Sequence, residues 1–438
     1  MTRRDAYDTG MVDVAASGWT APQGLAPSWP QLANDVQADV AVVGAGLAGA
    51  SLGLHLAEAG VRTCLLEARQ PGWGASGRNA GHVLPILRSV KPLAAFPGGG
   101  ASFLEVFREH HTLPYDLARQ YAIDCDAVRS GYINGMRTAR ARDAFVRTSQ
   151  YLEDLRLQHL VPLSAAEMQG LTGSNDYPFG VLFPDGGRIN PYLFTNGMVA
   201  AAARLGTRVH GDSEVLTIQP EGRRWRVRTA GGSVVADRVV FCTNAYPTAV
   251  EPAFQRGFHP LTAYGIATKP LPEAARKQIL PGGGTFSQAP LDINPLVHDR
   301  HGRLILSSIP RVGHAMDMAW HFASQLRWIH RTWPETRGMR IEPDRYWTGR
   351  VALTASQFPG FYELQKGVYG LMYFNAWGNV MAPLMGKIVA AALARDDLAA
   401  LPIPVSRPEP VSHQGKYQWI IGRLLLPAAR TAQRLGFI

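Results

Sequence analysis

Three glycines in a fixed spacing, followed by an acidic residue, are the first candidates for chemistry in this chain of 438 residues. Gly44, Gly46 and Gly49 form a Gly-x-Gly-x-x-Gly motif between an apolar run and a segment with helical spacing. In that context Gly44 permits a tight turn, Gly46 lets the backbone approach a diphosphate, and Gly49 lets a helix pack closely on a strand. Glu67 follows about 20 residues later, where a carboxylate accepts hydrogen bonds from ribose hydroxyls and repels a 2′-phosphate. The spacing therefore predicts a site for an adenine dinucleotide and disfavours NADP.

A second glycine-rich loop, residues 72–81, contains Ser76, Arg78 and Asn79 between its glycines. Because glycine lacks a Cβ atom, such a loop can bring backbone amides and polar side chains close to a flat ligand or to phosphates. A flexible surface loop is the alternative interpretation. The position of the loop just after Glu67 favours contact with the ligand.

The residues around these motifs predict the elements that position them. The apolar run 38–43 predicts a buried parallel strand, the segment after Gly46 predicts a helix that ends at Gly60, and 61–67 predicts the next strand. Together they form one βαβ unit.

Two later regions differ from this unit in composition. Residues 101–160 are rich in helix-forming residues and predict two or three helices, and 190–206 predicts another helix. From 207 to 245, β-rich runs alternate with turns, and 255–350 mixes short strand-like runs with loops rich in proline and glycine. The last region predicts a second, mostly antiparallel domain.

Composition places the chain among ordinary globular proteins, with 46% hydrophobic and 18% charged residues. Its three cysteines are too few for a disulfide framework and lack the spacing of zinc ligands, so we expect a reducing compartment and no metal site. No apolar run resembles the core of a signal sequence or a membrane span. A cytoplasmic location is therefore expected.

The net charge of +10 comes from 44 lysines and arginines against 34 acidic residues. The basic residues are scattered and form no compact motif with interleaved aromatics, so we expect a solvated basic surface and no binding of nucleic acid. An anionic small substrate is compatible with this charge.

The C-terminal segment has a pattern of its own. In a regular helix its basic residues would share one face, opposite an apolar face, and Pro427 would break that helix. Packing on its own domain and peripheral contact with a membrane surface both fit this pattern. The basic residues are Lys416, Arg423, Arg430 and Arg434, and the apolar ones are Trp419, Ile420 and Leu424.

Several stretches carry a resemblance to a known family. The first glycine motif, the run GASGRNAG (74–81) and the run VVFCTNAY (239–246) resemble the D-amino acid oxidase (DAO) superfamily of FAD-dependent oxidoreductases. Within it, the resemblance is to the gamma-glutamylputrescine oxidase-like branch. The run YGIATKPL (264–271) resembles the strand that enters the family's substrate domain, and Trp347-Thr348-Gly349 resembles its return. The resemblance spans residues 36–395.

The resemblance implies an α/β fold with two interleaved parts, a glutathione-reductase-type FAD-binding domain and a second, mostly antiparallel substrate domain. On this basis we predict a discontinuous FAD-binding domain, a helical cover, a substrate domain and a basic helical tail. Their bounds are 36–98, 160–250 and 345–400 for the FAD-binding domain, 99–159 for the cover, 251–344 for the substrate domain and 401–438 for the tail.

The resemblance also implies a cofactor and a reaction. FAD would be held non-covalently, because the cysteine that monomeric sarcosine oxidases use lies near the C-terminal flavin loop and this sequence has no cysteine after Cys242. His82 is a remote alternative for covalent attachment. The implied reaction oxidises the C–N bond of a small amine or amino acid. Hydride passes from the carbon next to nitrogen to flavin N5, and the resulting imine hydrolyses to a carbonyl product. Oxygen or another electron acceptor would reoxidise the flavin.

The motifs and the resemblance together predict the residues of the site. Arg350 stands close to a carboxylate-binding arginine of amino acid oxidases, with an ordinary surface arginine as the alternative. Tyr264 and Trp377 are predicted pocket walls, with core packing as the alternative. The residues predicted to contact FAD are Gly44, Gly46, Leu47, Ala48, Gly49, Glu67, Ala68, Arg69, Gly74, Ala75, Ser76, Arg78, Asn79, Ala80, Gly81, Val215, Thr243, Asn244, Gly378, Asn379, Val380 and Met381.

Two stretches depart from the family pattern. The family's Gly-aromatic-Ser-Gly-His-Gly stretch before the last helix is replaced by YFNAWGNV (373–380), which keeps an aromatic residue and Gly378. Ser356-Gln357-Phe358-Pro359 stands where Asp-x-x-Pro is common. Since the first of these loops normally lies by the flavin ring, oxidation of a hydroxy acid or a biosynthetic intermediate, or a non-catalytic flavoprotein, are the alternatives. A nicotinamide-dependent dehydrogenase is disfavoured because the second glycine-rich loop has no evident use in it.

Overall fold

The structure is a computed structural model that describes residues 17–20, 26, 28–157, 160–247, 249–289, 294–311, 314, 317–412 and 420–434. Within these ranges the strands are β1 (Val36–Val43), β2 (Thr63–Leu66), β3 (His82–Val83), β4 (Tyr132–Met136), β5 (Val161–Leu163), β6 (Phe179–Phe183), β7 (Gly187–Arg188), β8 (Arg208–His210), β9 (Thr217–Glu221), β10 (Arg224–Arg228), β11 (Ser233–Phe241), β12 (His259–Thr268), β13 (Thr285–Gln288), β14 (Leu296–His298), β15 (Leu304–Ser308), β16 (Pro343–Leu353), β17 (Gly360–Gln365), β18 (Val368–Met372) and β19 (Val405–Ser406). The α helices are α1 (Leu47–Glu58), α2 (Ala101–His110), α3 (Leu113–Gln120), α4 (Ala139–Asp154), α5 (Ala165–Thr172), α6 (Pro191–Arg204), α7 (Pro252–Arg256), α8 (Glu273–Gln278), α9 (Met318–Thr332), α10 (Gly378–Ala394) and α11 (Leu426–Arg434).

The first sheet is built on parallel strands, in the order β19-β17-β18-β11-β1-β2-β8, with β10 and β9 joined to β11. In its centre Val42 of β1 lies between Leu65 of β2 and Val240 of β11. These strands are continuous apolar runs because both of their faces are buried. Val42 and Val240 pack in one core cluster with α1 and α10, whereas Ala41 and Val239 pack in another on the opposite face. The predicted βαβ unit is confirmed, with β1 beginning at Val36 and Gly60 in the left-handed region after α1.

The second sheet has the order β16-β12-β15-β14-β13-β4-β6-β5. Its neighbouring strands are antiparallel except for β13 and β4, which are parallel. The long β12–β16 pair places Thr262 opposite Arg350 and Ala263 opposite Gly349. The prediction of a mostly antiparallel second sheet is confirmed.

The strand content of this second sheet differs from the sequence prediction in three places. Helices α2, α3 and α4 fill most of the predicted cover at 99–159, but β4 lies between them and joins the second sheet. Two further parts of the predicted FAD-binding domain also contribute strands to the second sheet. Segment 160–250 contributes β5 and β6, and segment 345–400 contributes most of β16. The partners of β4 are Phe179–Phe183 and Thr285–Gln288, which are distant in sequence. A strand of five residues with distant partners leaves no local periodicity that a sequence pattern could detect.

Helix α1 is the element that connects the first sheet to the helical layer. It is buried along most of its length and contacts α6 and α10. Ser51 of α1 donates a hydrogen bond of 2.7 Å to the carbonyl of Pro383 in α10. A Cβ atom on Gly386 would lie 2.8 Å from the Ser51 side chain, so the backbone of α10 lies directly against the side chain of Ser51 in α1. Among the helices described, none has both the length and the apolar content needed to cross a membrane.

The C-terminal segment consists of a π-helical turn at Ile421–Leu425 followed by α11. Arg423 is exposed, whereas Arg430 is 5% exposed and donates to the carbonyl of Ile309 at 3.2 Å. The prediction of one shared basic face is therefore wrong for these two arginines, because a π-helical turn does not keep the regular α-helical spacing. Lys416 and Trp419 lie outside the described residues.

Candidate functional site

A cavity of about 510 Å³ lies where the carboxyl ends of β1, β2 and β11 face the second sheet. This is where ligands bind in open α/β sheets, outside the carboxyl ends of parallel strands. Its walls come from the two glycine-rich loops, from the N-terminus of α10, and from β12, β15 and β16. The cavity thus joins the predicted dinucleotide site to the second sheet.

The first glycine motif forms the turn between β1 and α1. Gly44 has φ = 103°, a conformation that side chains rarely adopt, and its amide donates to the carbonyl of Leu66 at 2.7 Å. A Cβ atom on Gly46 would lie 2.7 Å from Ser76 Oγ, and one on Gly49 would lie 1.9 Å from the carbonyl oxygen of Gly44. Gly44 and Gly46 line the cavity and Gly49 does not. Gly49 is required by the packing of α1 on the turn.

The N-terminus of α1 is capped by the second loop. Gly46 has no side chain to cap the helix, and Ser76 Oγ instead accepts a hydrogen bond of 2.8 Å from the amide of Leu47. Ala48, the next residue of the first turn, lines the cavity. The amide groups and the dipole at such a helix end favour an anionic group such as a diphosphate.

Glu67 lies just past the end of β2, on the cavity wall. Its carboxylate accepts hydrogen bonds from the amides of Ala45 (2.8 Å) and Arg69 (3.0 Å). Burial raises the pKa of Glu67 above its ordinary value, and these two amides oppose that change. A ribose hydroxyl that donated to this carboxylate would compensate part of the cost of burying it.

The second glycine-rich loop is fixed to the rest of the protein by two side chains. Arg78 is 6% exposed, lies over the ring of Trp73 at 4.8 Å, and donates to the carbonyls of Trp73 and of Thr348 in β16. Asn79 and Asn379 exchange two amide hydrogen bonds of 2.9 and 3.0 Å. The alternative of a flexible surface loop is therefore not supported by the structure.

The loop that departs from the family pattern has an unusual backbone. Tyr373, Asn375 and Ala376 have φ values of 66°, 52° and 58°, in the left-handed region. This conformation costs a residue other than glycine roughly 1 kcal/mol or more. The loop connects β18 to α10, and Ala376 lines the cavity. Strain of this kind persists only where surrounding contacts fix the backbone.

Two residues supply such contacts. Asn244 Oδ1 accepts hydrogen bonds from the amides of Tyr373 (2.9 Å) and Phe374 (3.2 Å). The Arg88 guanidinium donates to the carbonyls of Asn375 (2.8 Å) and Ala376 (3.2 Å), and it lies 5.9 Å from the centre of the Trp377 ring. Asn244 was predicted to contact FAD, and Arg88 was not predicted.

Helix α10 begins at the cavity. Gly378, Asn379 and Val380 line it, so the first turn of the helix directs its unpaired amides toward the ligand space. Met381 does not line the cavity. It is fully buried in the core, and its amide bonds to the carbonyl of Trp377 at 3.3 Å.

The predicted wall residue Tyr264 lies on the wrong face of β12. Side chains alternate along a strand, and Leu261 and Ala263 are the residues of β12 that line the cavity. Tyr264 packs behind the sheet, 4.3 Å from the ring centre of His321, and its hydroxyl accepts a hydrogen bond of 2.7 Å from Gln325. Core packing, the alternative interpretation for this tyrosine, describes its place in the structure.

Arg350 and Trp377 both line the cavity, as predicted. Arg350 is half-buried on β16, and its amide donates to the hydroxyl of Tyr246 at 2.9 Å. Among the described residues, the strands of the second sheet contribute this arginine to the cavity and no carboxylate. The lining carboxylates are Glu67 and Glu214, which follow strands of the first sheet.

The remaining predicted residues either line the cavity or pack behind it. Gly81 does not line the cavity, because a Cβ atom there would lie 2.6 Å from the Trp19 ring and the residue is packed against it. The other predicted residues that line the cavity are Leu47, Ala68, Arg69, Gly74, Ala75, Ser76, Arg78, Asn79, Ala80, Val215, Thr243 and Asn244.

Several lining residues were not predicted. His82 and Arg88 follow the second loop closely, and that position was a usable signal. The lining residues from the second sheet carry no local signal, since sheet pairing alone brings them to the cavity. His82 was considered from the sequence only for covalent attachment. The unpredicted residues with polar or aromatic side chains are Trp73, Arg88, Tyr132, Ser213, Glu214, Cys242, Tyr246, Ser307, Ser308 and Phe374.

His82 is a neutral group at the cavity. Burial lowers its pKa to about 4, and its ring meets the edge of Tyr132 at 5.4 Å. Among the described residues, Nε2 of His82 has no hydrogen-bond partner. The ring therefore adds no positive charge to the cavity at neutral pH.

The residues present fit FAD. The space next to Gly46 and Ala48 suits the diphosphate, and the half-buried carboxylate of Glu67 suits the ribose. Neither of the glycines at 44 and 46 has room for a side chain, because a Cβ atom on Gly44 would meet the carbonyl oxygen of Cys242 at 3.0 Å and one on Gly46 would meet Ser76 Oγ at 2.7 Å. From this end the cavity continues to the first turn of α10 and to the second sheet.

Comparisons with known proteins point to the same cofactor. The model of the DAO family, described as FAD dependent oxidoreductase, matches residues 39–392. The chain is 28% identical over 392 residues to gamma-glutamylputrescine oxidoreductase of Escherichia coli, covering 88% of this chain and 90% of that protein. It is 24% identical over 378 residues to the probable oxidoreductase OrdL of Haemophilus influenzae, covering 84% and 86%.

Solved structures show the same fold. Glycine oxidase from Geobacillus kaustophilus superposes with a TM-score of 0.67 at 20% identity, covering 84% of this chain and 96% of that one. L-proline dehydrogenase from P. horikoshii gives a TM-score of 0.68 at 18% identity, with coverages of 84% and 96%. The resemblance stated from the sequence, the α/β fold with two parts and FAD as the cofactor are all confirmed.

Proposed function

Because the chain belongs to the DAO family of FAD-dependent oxidoreductases, we propose that it oxidises the C–N bond of a small amine or amino acid that carries a negative charge. FAD, when bound, supplies the acceptor for the hydride that leaves the carbon next to nitrogen. The product is an imine, which water hydrolyses to a carbonyl compound and a free amine. Oxygen or another acceptor completes the turnover.

The observation that supports a negatively charged substrate is the position of a cation on the second-sheet wall of the cavity. Arg350 of β16 lines this wall, between Gly349 and Val351. A guanidinium binds a carboxylate through two parallel hydrogen bonds, which gives orientation as well as attraction. Arg350 would thereby orient the substrate within the cavity.

Aromatic side chains complete the surroundings of the substrate. Tyr246, Phe374 and Trp377 line the cavity, and Phe374 and Trp377 are almost completely buried. Such walls exclude water and leave a small number of polar groups to decide which end of the ligand goes where. Because burial lowers the pKa of His82, its ring adds no further positive charge to these walls at neutral pH.

The names of similar proteins support a nitrogen-containing substrate. The E. coli relative is named for gamma-glutamylputrescine, and a relative in Geobacillus kaustophilus, 24% identical over 212 residues, is a glycine oxidase.

The proposal is tested by anaerobic bleaching of the flavin. Purified protein with bound FAD is mixed with amines and amino acids, in pairs that differ by one carboxylate, and with 2-hydroxy acids as the comparison class. We expect bleaching by a carboxylate-bearing amine and weak or no bleaching by its partner without the carboxylate. Bleaching by hydroxy acids alone, or by none of these compounds, would contradict the proposal.

A matched pair of variants tests whether Arg350 binds the carboxylate of the substrate. Arg350→Met should raise the KM for a carboxylate-bearing substrate by about tenfold to a hundredfold, since a charge-assisted pair is lost. The KM for the partner without the carboxylate should hardly change. Arg345→Met is the control, because Arg345 is an exposed arginine on the same strand that does not line the cavity. Equal effects of the two variants would contradict a binding role for Arg350.

The departure of the loop at 373–380 favours one alternative, a flavoprotein without catalysis. The loop has left-handed backbone at Tyr373, Asn375 and Ala376, and its sequence replaces the family's usual one directly before α10. Protein that retains FAD, is reduced by dithionite and is reduced by no amine, amino acid or hydroxy acid would support this alternative.

A further inference from the structure

A cation and two exposed leucines adjoin each other near the end of the chain. We call Arg423, Leu424 and Leu425 the tail surface. Leu424 and Leu425 are 54% and 56% exposed, more than any other large hydrophobic side chain in the described residues. The next most exposed, Leu216 at 52%, stands apart from them in the chain. Single exposed leucines are ordinary on protein surfaces, whereas a consecutive pair beside an arginine is an amphipathic feature.

The last part of the sequence has no acidic residue. Residues 410–438 contain four basic residues, of which Arg423 is exposed and Arg430 is buried, in a chain whose net charge is +10. A second copy of the same basic surface would be repelled from it. An anionic surface has the complementary charge.

The tail surface is held on the outside of the protein. It directly precedes α11, whose Arg430 is buried and bonded to the carbonyl of Ile309 at 3.2 Å. This contact fixes one side of α11 to the body of the protein. The exposed leucines lie on the π-helical turn that directly precedes α11.

We infer that the tail surface docks on the surface of an anionic lipid bilayer. Leucine side chains enter the boundary between headgroups and acyl chains, while arginine extends its guanidinium to the anionic headgroups. This combination of adjacent leucines and a cation suits a lipid interface, where both kinds of side chain find a partner. Ile309 lines the cavity, and its carbonyl accepts the hydrogen bond from Arg430 of α11. Docking of the tail surface would therefore place α11 between the membrane and this wall of the cavity.

The experiment measures sedimentation of the full-length holoprotein with vesicles. One set of vesicles contains phosphatidylcholine alone, and the other contains phosphatidylcholine and phosphatidylglycerol in equal parts. We expect binding to the anionic vesicles and much weaker binding to the neutral ones, with loss of binding as salt is raised. The double variant Leu424→Ser/Leu425→Ser should bind about tenfold more weakly or worse. Arg423→Gln should bind about fivefold more weakly.

The control is the double variant Leu205→Ser/Leu216→Ser, which removes two exposed leucines from elsewhere on the surface. It should bind vesicles like the unaltered protein. Flavin content, measured for every variant, shows that each one is folded. Failure of the unaltered protein to bind anionic vesicles would overturn the inference, as would equal binding by the tail variant or an equal loss in the control. A tail variant that abolishes self-association and leaves vesicle binding unchanged would assign the surface to a second copy of the chain. None of these outcomes depends on the substrate, so they are independent of the proposed reaction.

Discussion

Replacing Gly49 by alanine tests the packing on which the dinucleotide turn depends. The new Cβ atom would lie 1.9 Å from the carbonyl oxygen of Gly44 and 3.3 Å from Val42 Cγ1. An ordinary contact needs at least 3.4 Å, so α1 would have to move away from the turn by about 1.5 Å. The obstacle is backbone, and no side-chain rotation can relieve it.

Gly53→Ala in the same helix is the matched control. Its nearest new neighbour would be Thr207 Cγ2 at 3.8 Å, which is an ordinary contact. Alanine stabilises a helix interior by about 1 kcal/mol relative to glycine. Overpacking at a site that cannot relax costs about 1–3 kcal/mol and occasionally more. The two substitutions, which add the same methyl group to the same helix, should therefore change stability in opposite directions.

The assay has two readouts, urea unfolding with and without added FAD, and flavin absorbance per protein after gel filtration. Gly49→Ala should lower the free energy of unfolding by about 3 kcal/mol and should lose most of its FAD, because the helix N-terminus moves away from the diphosphate. Gly53→Ala should keep FAD and unfold at the same or a higher urea concentration. A Gly49→Ala protein with unaltered stability and full FAD content would refute the reasoning.

The remaining predictions concern single contacts at the cavity. Glu67→Gln should weaken FAD affinity by about tenfold or more in a flavin-release titration, because an acceptor for ribose and backbone donors loses its charge; unchanged affinity would remove Glu67 from the ribose site. Asn79→Ala and Asn379→Ala, alone and combined, should show a coupling energy of about 1–2 kcal/mol in urea unfolding, and strictly additive effects would mean that their two hydrogen bonds contribute nothing. Arg88→Met should lower the free energy of unfolding by about 1–3 kcal/mol and shift the absorption spectrum of the bound flavin, because the strained loop loses two donors; a stability loss with an identical spectrum would place the loop away from the ring. Because burial lowers the pKa of His82 from 6.5 to about 4, the unfolded state binds a proton there first as pH falls, so stability should be full above pH 6.5 and decrease toward pH 4 by up to about 3 kcal/mol. His82→Gln should flatten that part of the pH profile, and an unchanged profile would assign the loss to other groups.

The dinucleotide turn could be predicted from the sequence because its requirements are local. Gly44, Gly46 and Gly49 are needed by steric contacts within one strand-turn-helix unit, and Glu67 ends the strand that follows. The second glycine-rich loop is also local, and its contact with the first turn through Ser76 spans 29 positions. Residue types at fixed spacing determine such a unit before the rest of the chain is considered.

The opposite wall of the cavity was decided by the tertiary structure. Strand β4 has no periodicity of its own and joins the second sheet through partners far along the chain. Tyr264 was placed in the cavity by its resemblance to a family strand, and the pairing of β12 turned it to the other face, since adjacent residues of a strand point in opposite directions. Ala263, the residue before Tyr264, lines the cavity wall where Tyr264 was expected.

The sequence by itself thus determined the cofactor end of the site, and the tertiary structure decided the end where the substrate is expected. Nothing near Arg88 in sequence indicates that it bonds to Asn375 and Ala376, which lie 287 and 288 positions away. The left-handed backbone of Ala376 is likewise not indicated by its side chain, because alanine does not favour that conformation, whereas asparagine at 375 tolerates it. A conformation that is held by distant contacts, against the preference of its own residues, appears only once the chain has folded.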